Sequence, residues 1–182
     1  MNTMLDLLGA TIIGGIIFLL IFNLNTYSAK NQYSSDSDLT LQRNAKTLAS
    51  IIENDLRKVG FHYNGIAITS AQPQKFSFYS DIDSNGTIDN VTLTLSDSTI
   101  LTQTPNPSDK IYYRIINGDT LKGASLGLTK LLFSYKNEFG NATTALDSIK
   151  YIEAQFWMAS PAKIDSDYAK TFWEITVNPR NL

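Results

Sequence analysis

The sequence of 182 residues has no cysteine. Disulfides, thiolate metal sites and cysteine nucleophiles are therefore excluded. It has one histidine, His62, so a histidine-rich metal site or a Ser-His-Asp triad would rest on that residue alone. In its turn context, "GFHYNG", a lone histidine reads as a surface or packing residue. No sign of charge dominates: 15 Lys and Arg face 17 Asp and Glu, for a formal net charge of −2, and no basic run exists. Nucleic acid and anionic membrane surfaces thus have no bulk electrostatic claim on the chain. No internal repeat, low-complexity segment, phosphate loop, nucleophile–base pair or transition-metal cluster is visible, and an enzyme is not expected. What is present is ordinary for a folded domain: 43% hydrophobic and 18% charged residues, enough to bury one core and carry an appendage.

The most informative segment is "DLLGATIIGGIIFLLIFNLNTYSAK". The 23 residues between Asp6 and Lys30 carry no charge. As a helix they extend about 35 Å, enough to cross a hydrocarbon core of about 30 Å. A cleaved secretory signal needs a basic region ahead of its apolar core, and here the first base, Lys30, follows the run. Either the positive-inside tendency places the C-terminal domain in the cytoplasm, or a short basic leader has been removed. Two features are unusual for a plain anchor. Gly14 and Gly15 sit mid-helix, where each costs about 1 kcal/mol relative to alanine in water. Asp6 is a carboxylate at the hydrocarbon edge, costly unless paired.

From "DSDLTLQRNAKTLASIIENDLRKVGF" an amphipathic helix is expected. Leu41, Ala45, Leu48, Ile52, Leu56 and Val59 recur at spacings of three and four on one face. Either Ser37 or Asp38 caps its start, or the apolar run continues into it; Gly60 supplies the stop. Beyond Gly60 come short strand-like runs, "KFSFYSD", "NVTLTLSD", "STILTQT", "DKIYYRIIN", "LTKLLFSYKN", "SIKYIEAQFWM" and "TFWEITVNP", set apart by Asn-Gly, Pro, Ser and Asp. The expected class is α+β, an antiparallel sheet or two packed on the amphipathic helix. Its parts are a spine helix over 1–60, apolar to 29 and amphipathic from 30, and a β-rich head over 61–182. The pairs Tyr112-Tyr113, Phe156-Trp157 and Phe172-Trp173 are each expected to send one ring inward and one outward.

"SDIDSNGTIDN" has the spacing of a calcium loop. Asp81, Asp83, Asn85, Thr87 (through its carbonyl) and Asp89 fall at alternate positions that deliver oxygens to one hard cation, Ca2+. Gly86 permits a positive φ there, and Ile88 is the apolar residue expected to pack inward. The bidentate glutamate of an EF-hand is replaced by Thr92. The competing reading is a β-hairpin closed by an Asn-Gly turn, its aspartates only capping and solubilising.

An apolar helix with an early acid, an amphipathic continuation ending "IIENDLRKVGF", and then a β-rich head resembles the type IV pilin superfamily. "NDLRKVGF", "YSDIDSNGTIDNVTLTL", "LTKLLFSYKNEFG" and "WEITVNPRNL" are most similar to minor pilins of the W type and secretion pseudopilins of the J type. The resemblance implies a precursor in the bacterial inner membrane, cleavage of a basic leader by a prepilin peptidase, and methylation of the new N-terminal amine. It further implies assembly by the pilus machinery, as a homo-oligomer or with other pilins, into an extracellular or periplasmic helical filament bundled on the apolar helices. Met1 and Asp6 would then be the assembly pair, an early acid neutralising a neighbour's amine. Gly14 and Gly15 would mark where the helix melts and lengthens on assembly. The family's Gly-Phe-Thr-Leu-x-Glu junction is absent, and Asp6 is shorter than its glutamate, so Asp6 reads equally as a carboxylate favouring the helix dipole. The rival expectation is a solitary membrane-anchored, calcium-binding adhesion or binding module.

Overall fold

The apolar run and the amphipathic pattern lie on one helix. In the computed structural model, which describes residues 2–97, 104–123, 125–164 and 166–182, α1 runs unbroken over Asn2–Arg57. The capping role considered for Ser37 or Asp38 does not arise, because the helix continues through both. The chain divides into two compact units, the residues up to Ser37 and Asp38–Leu182.

In the first unit the apolar side chains are exposed, from Met4 and Leu5 through Ile12, Ile16 and Phe18 to Phe22 and Leu24. The segment is long and apolar enough to cross a membrane. Two of its hydroxyls are satisfied internally: Thr11 Oγ1 donates to the Leu8 carbonyl and Thr26 Oγ1 to that of Phe22, both at 2.9 Å. Such back-bonding lets a polar residue sit in an apolar helix without an unpaired donor. Gly14 and Gly15 are helical, and a Cβ at either would meet nothing within 4 Å.

In the second unit the periodicity does its expected work. Leu41, Ala45, Leu48, Ile52, Leu56 and Val59 are all buried. Each fully buried Leu or Ile contributes about 1.5–3 kcal/mol. The helix ends at Arg57, and Gly60 at φ 74° turns the chain away. Its N–H then donates to the Tyr79 carbonyl at 3.0 Å.

Eight strands follow: β1 (Ile68–Ala71), β2 (Lys75–Ser80), β3 (Asp89–Leu95), β4 (Tyr112–Ile116), β5 (Asp119–Lys122), β6 (Leu128–Lys136), β7 (Tyr151–Ile164) and β8 (Asp167–Val177). β1 to β5 form an antiparallel meander in chain order, and β6 to β8 a second. Phe133 N–H donates to the Pro73 carbonyl at 2.7 Å and Lys110 N–H to that of Leu128 at 2.7 Å, joining the two sheets. Both sheets pack on the helix in one core. Phe76 is its centre, with ring centroids 5.4 Å from Phe78, 5.9 Å from Phe133 and 5.6 Å from Tyr135.

Six of the strand-like runs coincide with strands. Nearly all of "STILTQT" lies outside the described residues. β1 and β5 were not expected; β1 is only four residues long, and every residue of β5 is exposed, so neither carries an apolar alternation. The paired aromatics behave as anticipated. Tyr112 and Phe156 are buried beside the more exposed Tyr113 and Trp157, and Phe172 points outward beside the partly buried Trp173.

Candidate metal-binding loop

β2 and β3 pair from Lys75↔Thr94 to Ser80↔Asp89, which leaves residues 81–88 as the connection. An eight-residue loop is not the two-residue Asn-Gly turn of the competing reading. The chain does use that turn elsewhere. Asn117 (φ 53°) and Gly118 (φ 96°) close β4 on β5 beside the pair Ile116↔Asp119, the signature of a type I′ turn. At Asn85-Gly86 the backbone N–H groups are captured instead by carboxylates. Asn85 N–H donates to Asp81 Oδ1 at 3.0 Å and Asp83 Oδ1 at 3.2 Å, and Gly86 N–H donates to Asp81 Oδ2 at 3.1 Å. Ser84 at φ 61° and Gly86 at φ 86° give the loop its tight curl.

The curl gathers three of the five expected ligands. Asp81, Asp83 and Asp89 each present a carboxylate oxygen, all within 4.8 Å of one another. Asp81 and Asp89 are buried and Asp83 is exposed. Asn85 turns elsewhere: its Nδ2 donates to Asp83 Oδ2 at 2.8 Å, and its Oδ1 accepts from Thr87 N–H at 2.7 Å and from the Thr87 hydroxyl. Ile88 is 40% exposed, correcting the expectation that it packs inward. Ile82 is the buried apolar residue of the loop. Asp81 and Asp89 flank the two ends of the connection, so the residue after the first aspartate, not the one before the last, faces the core.

Residues distant in sequence brace the cluster. His62 Nδ1 lies 3.0 Å from Asp81 Oδ2; the carboxylate accepts, so the imidazole N–H donates. The His62 ring stacks on Phe61 at 3.9 Å. Lys58 Nζ donates to the Ile82 carbonyl at 2.8 Å, Asn117 Nδ2 to Asp89 Oδ1 at 2.7 Å, and Ile82 N–H to Asp89 Oδ2 at 3.2 Å. The His62 hydrogen bond is the largest influence holding Asp81 below its ordinary value of 3.8. Burial pushes the other way, and the Gly86 and Asn85 N–H groups add to the lowering. The expectation that His62 serves packing or the surface therefore omits this contact. No local signal marks His62, Lys58 or Asn117, because each reaches the loop through the tertiary fold. The donor set is all hard oxygen, which suits calcium rather than a thiophilic or imidazole-seeking metal.

A second polar cluster went unread in the sequence. Asp55 sits on the buried face of α1, 1% exposed. Tyr112 O–H donates to its Oδ2 at 3.0 Å and Arg114 Nη1 to its Oδ1 at 2.7 Å. Burial raises Asp55 above its ordinary 3.8, against the lowering by Arg114 and Tyr112. Burial and the adjacent carboxylate also push Tyr112 up. The available signal was position: Asp55 follows Leu48 by seven residues, two turns along the apolar face.

At the other end of α1, Asp6 is exposed. Met1, its expected assembly partner, lies outside the described residues. No known family model, curated protein or solved structure matches this chain.

Proposed function

We propose that the chain is a structural subunit of a type IV pilus-like filament or pseudopilus, held in a membrane by its apolar helix before assembly. One observation carries this reading. A single helix exposes its apolar side chains over the first half and serves as the core spine of a β-rich head over the second. An apolar helix outside the head needs lipid or its own kind around it. Its two glycines and lone carboxylate then acquire roles, Gly14-Gly15 as the place where the helix lengthens and Asp6 as partner to a neighbour's terminal amine.

Asp81, Asp83, Asn85, Thr87 and Asp89 would serve as a calcium brace in this head. Calcium would tie the end of β2 to the start of β3 in a domain that has no disulfide. At ~1 mM calcium and a Kd of ~0.1 mM, binding adds about 1.4 kcal/mol to stability. Isothermal titration is expected to show uptake at millimolar calcium, and none would remove the brace from the account. The filament reading is tested in detergent solution. Self-association through the apolar helix supports it, whereas a chain that stays monomeric at every detergent-to-protein ratio is the solitary membrane-anchored module.

A further inference from the structure

β8 is the edge of the second sheet, and it is eleven residues long. Which of its backbone groups face outward follows from the ladder. In an antiparallel pair, both polar groups of one residue face one neighbour and those of the next residue face the other. Phe133 N–H and the Tyr135 carbonyl point away from β7, to Pro73 and Thr143. The even residues of β6 therefore bond β7, where they pair with odd residues. The even residues of β7 bond β8, where they too pair with odd residues. Ala169 N–H agrees, meeting Ser160 Oγ at 3.1 Å on the β7 side. Lys170, Phe172, Glu174 and Thr176 thus turn their N–H and C=O groups to the open edge. Those groups have no partner among the described residues, and an unpaired edge of this length is a template for another strand.

The side chains select the strand. Lys170, Phe172 and Glu174 are exposed on one face, Phe172 at 49%. The two charges are opposite in sign and equally spaced about the ring. A second β8 laid antiparallel with Phe172 opposite Phe172 sets each Lys170 opposite a Glu174, twice over. Centring the pair on Lys170 or on Glu174 sets like charges opposite. Centring it on Thr171 or Trp173 sets a charge against Phe172. Opposite charges and paired aromatics stabilise a sheet, and like charges destabilise it. On the other face the same register sets Trp173 against Thr171 and Ile175 against Ala169. Trp173, Ile175 and Ala169 are only partly buried against the core, and a second β8 covers them further. The present partners of the charges do not compete strongly. Lys170 meets Asp167 at 3.3 Å with both side chains well exposed, and Glu174 spends only Oε2, on Gln155.

We propose that β8 pairs with β8 of a second copy, two-fold symmetric about Phe172, joining two three-stranded sheets into one. The contact is isologous and closes at two copies. It pairs heads, and goes beyond the bundling of apolar helices.

The chain has no native cysteine, so Phe172→Cys in the full chain reports the register. Opposed residues at this position lie with Cα atoms about 5.5 Å apart, within disulfide reach. Thr176→Cys is the control, exposed on the same face. The register separates the two copies of residue 176 by about 27 Å along the strands. Oxidation in detergent, with micelles in excess over chains, should give a dimer from Phe172→Cys and a monomer from Thr176→Cys. In the Phe172→Cys background, Lys170→Glu or Glu174→Lys should each cut dimer yield about tenfold. The combined swap should restore it. No dimer from Phe172→Cys, equal dimer from both cysteines, or reversals without effect would overturn the pairing. None of these variants touches the apolar helix, so such a failure leaves the filament reading to its own test.

Discussion

Asp81 and Asp55 are both buried carboxylates, yet their environments push them in opposite directions. Asp81 is held below 3.8 chiefly by His62. Its stabilisation is present above 3.8 and is lost as pH falls through its folded value. Asp55 is raised by burial. Its contribution is complete below 3.8 and declines as pH rises through its folded value. Urea melts over a pH series should therefore show that Asp81→Asn flattens the acid limb, while Asp55→Asn removes a loss of stability above 3.8. An Asp81→Asn variant with the wild-type acid limb would contradict the role given to His62. Arg114 is the other decisive residue. Arg114→Ala leaves Asp55 buried beside the Tyr112 hydroxyl alone, and is expected to cost about 3 kcal/mol in a denaturant melt. That is the low end for a broken buried pair, because the Arg114 side chain is one-third exposed. A change below 0.5 kcal/mol would mean that water already shares the pair.

At the scale of elements, α1 poses the sharpest question. Gly14 and Gly15 lie in unbroken helix with open space around them. Alanine fits both sites and should stabilise the helix by about 1 kcal/mol each. If these glycines let the subunit lengthen, Gly14→Ala with Gly15→Ala should reduce filament yield without lowering the level of chain in the membrane. Equal yields would leave the glycines with no part in assembly. The elements also separate what was legible from what was not. Periodicity exposed α1 because a helix buried along one side must repeat its apolar residues. Strand-like composition between turn residues marked β2, β3, β4, β6, β7 and β8. It missed β1 and β5, whose pairing depends on neighbours rather than on their own pattern. The dipeptide Asn-Gly occurs at 64–65, 85–86 and 117–118, and only the last makes a two-residue hairpin turn; at 85–86 Asp81 and Asp83 claim the N–H groups. The acidic spacing found Asp81, Asp83 and Asp89. His62, Lys58 and Asn117, which brace them, became visible only when the fold brought them within 3.0 Å of the loop or its aspartates.

For the whole molecule, two kinds of surface meet on one chain. The head buries its core around Leu48, Ile52, Phe76 and Phe156 and needs no partner to do so. The apolar half of α1 buries none of its apolar window within the chain. Burial of that surface in lipid, and then in a bundle of like helices, is the free-energy source the proposed assembly draws on. The most direct measurement is electron microscopy of filaments sheared from cells that make the chain, with mass spectrometry of their subunits. The account predicts that the chain is a filament subunit and that residues before Ser37 form a central helical bundle with the heads outside. Filaments that lack the chain, while it remains monomeric in the membrane fraction, would contradict it.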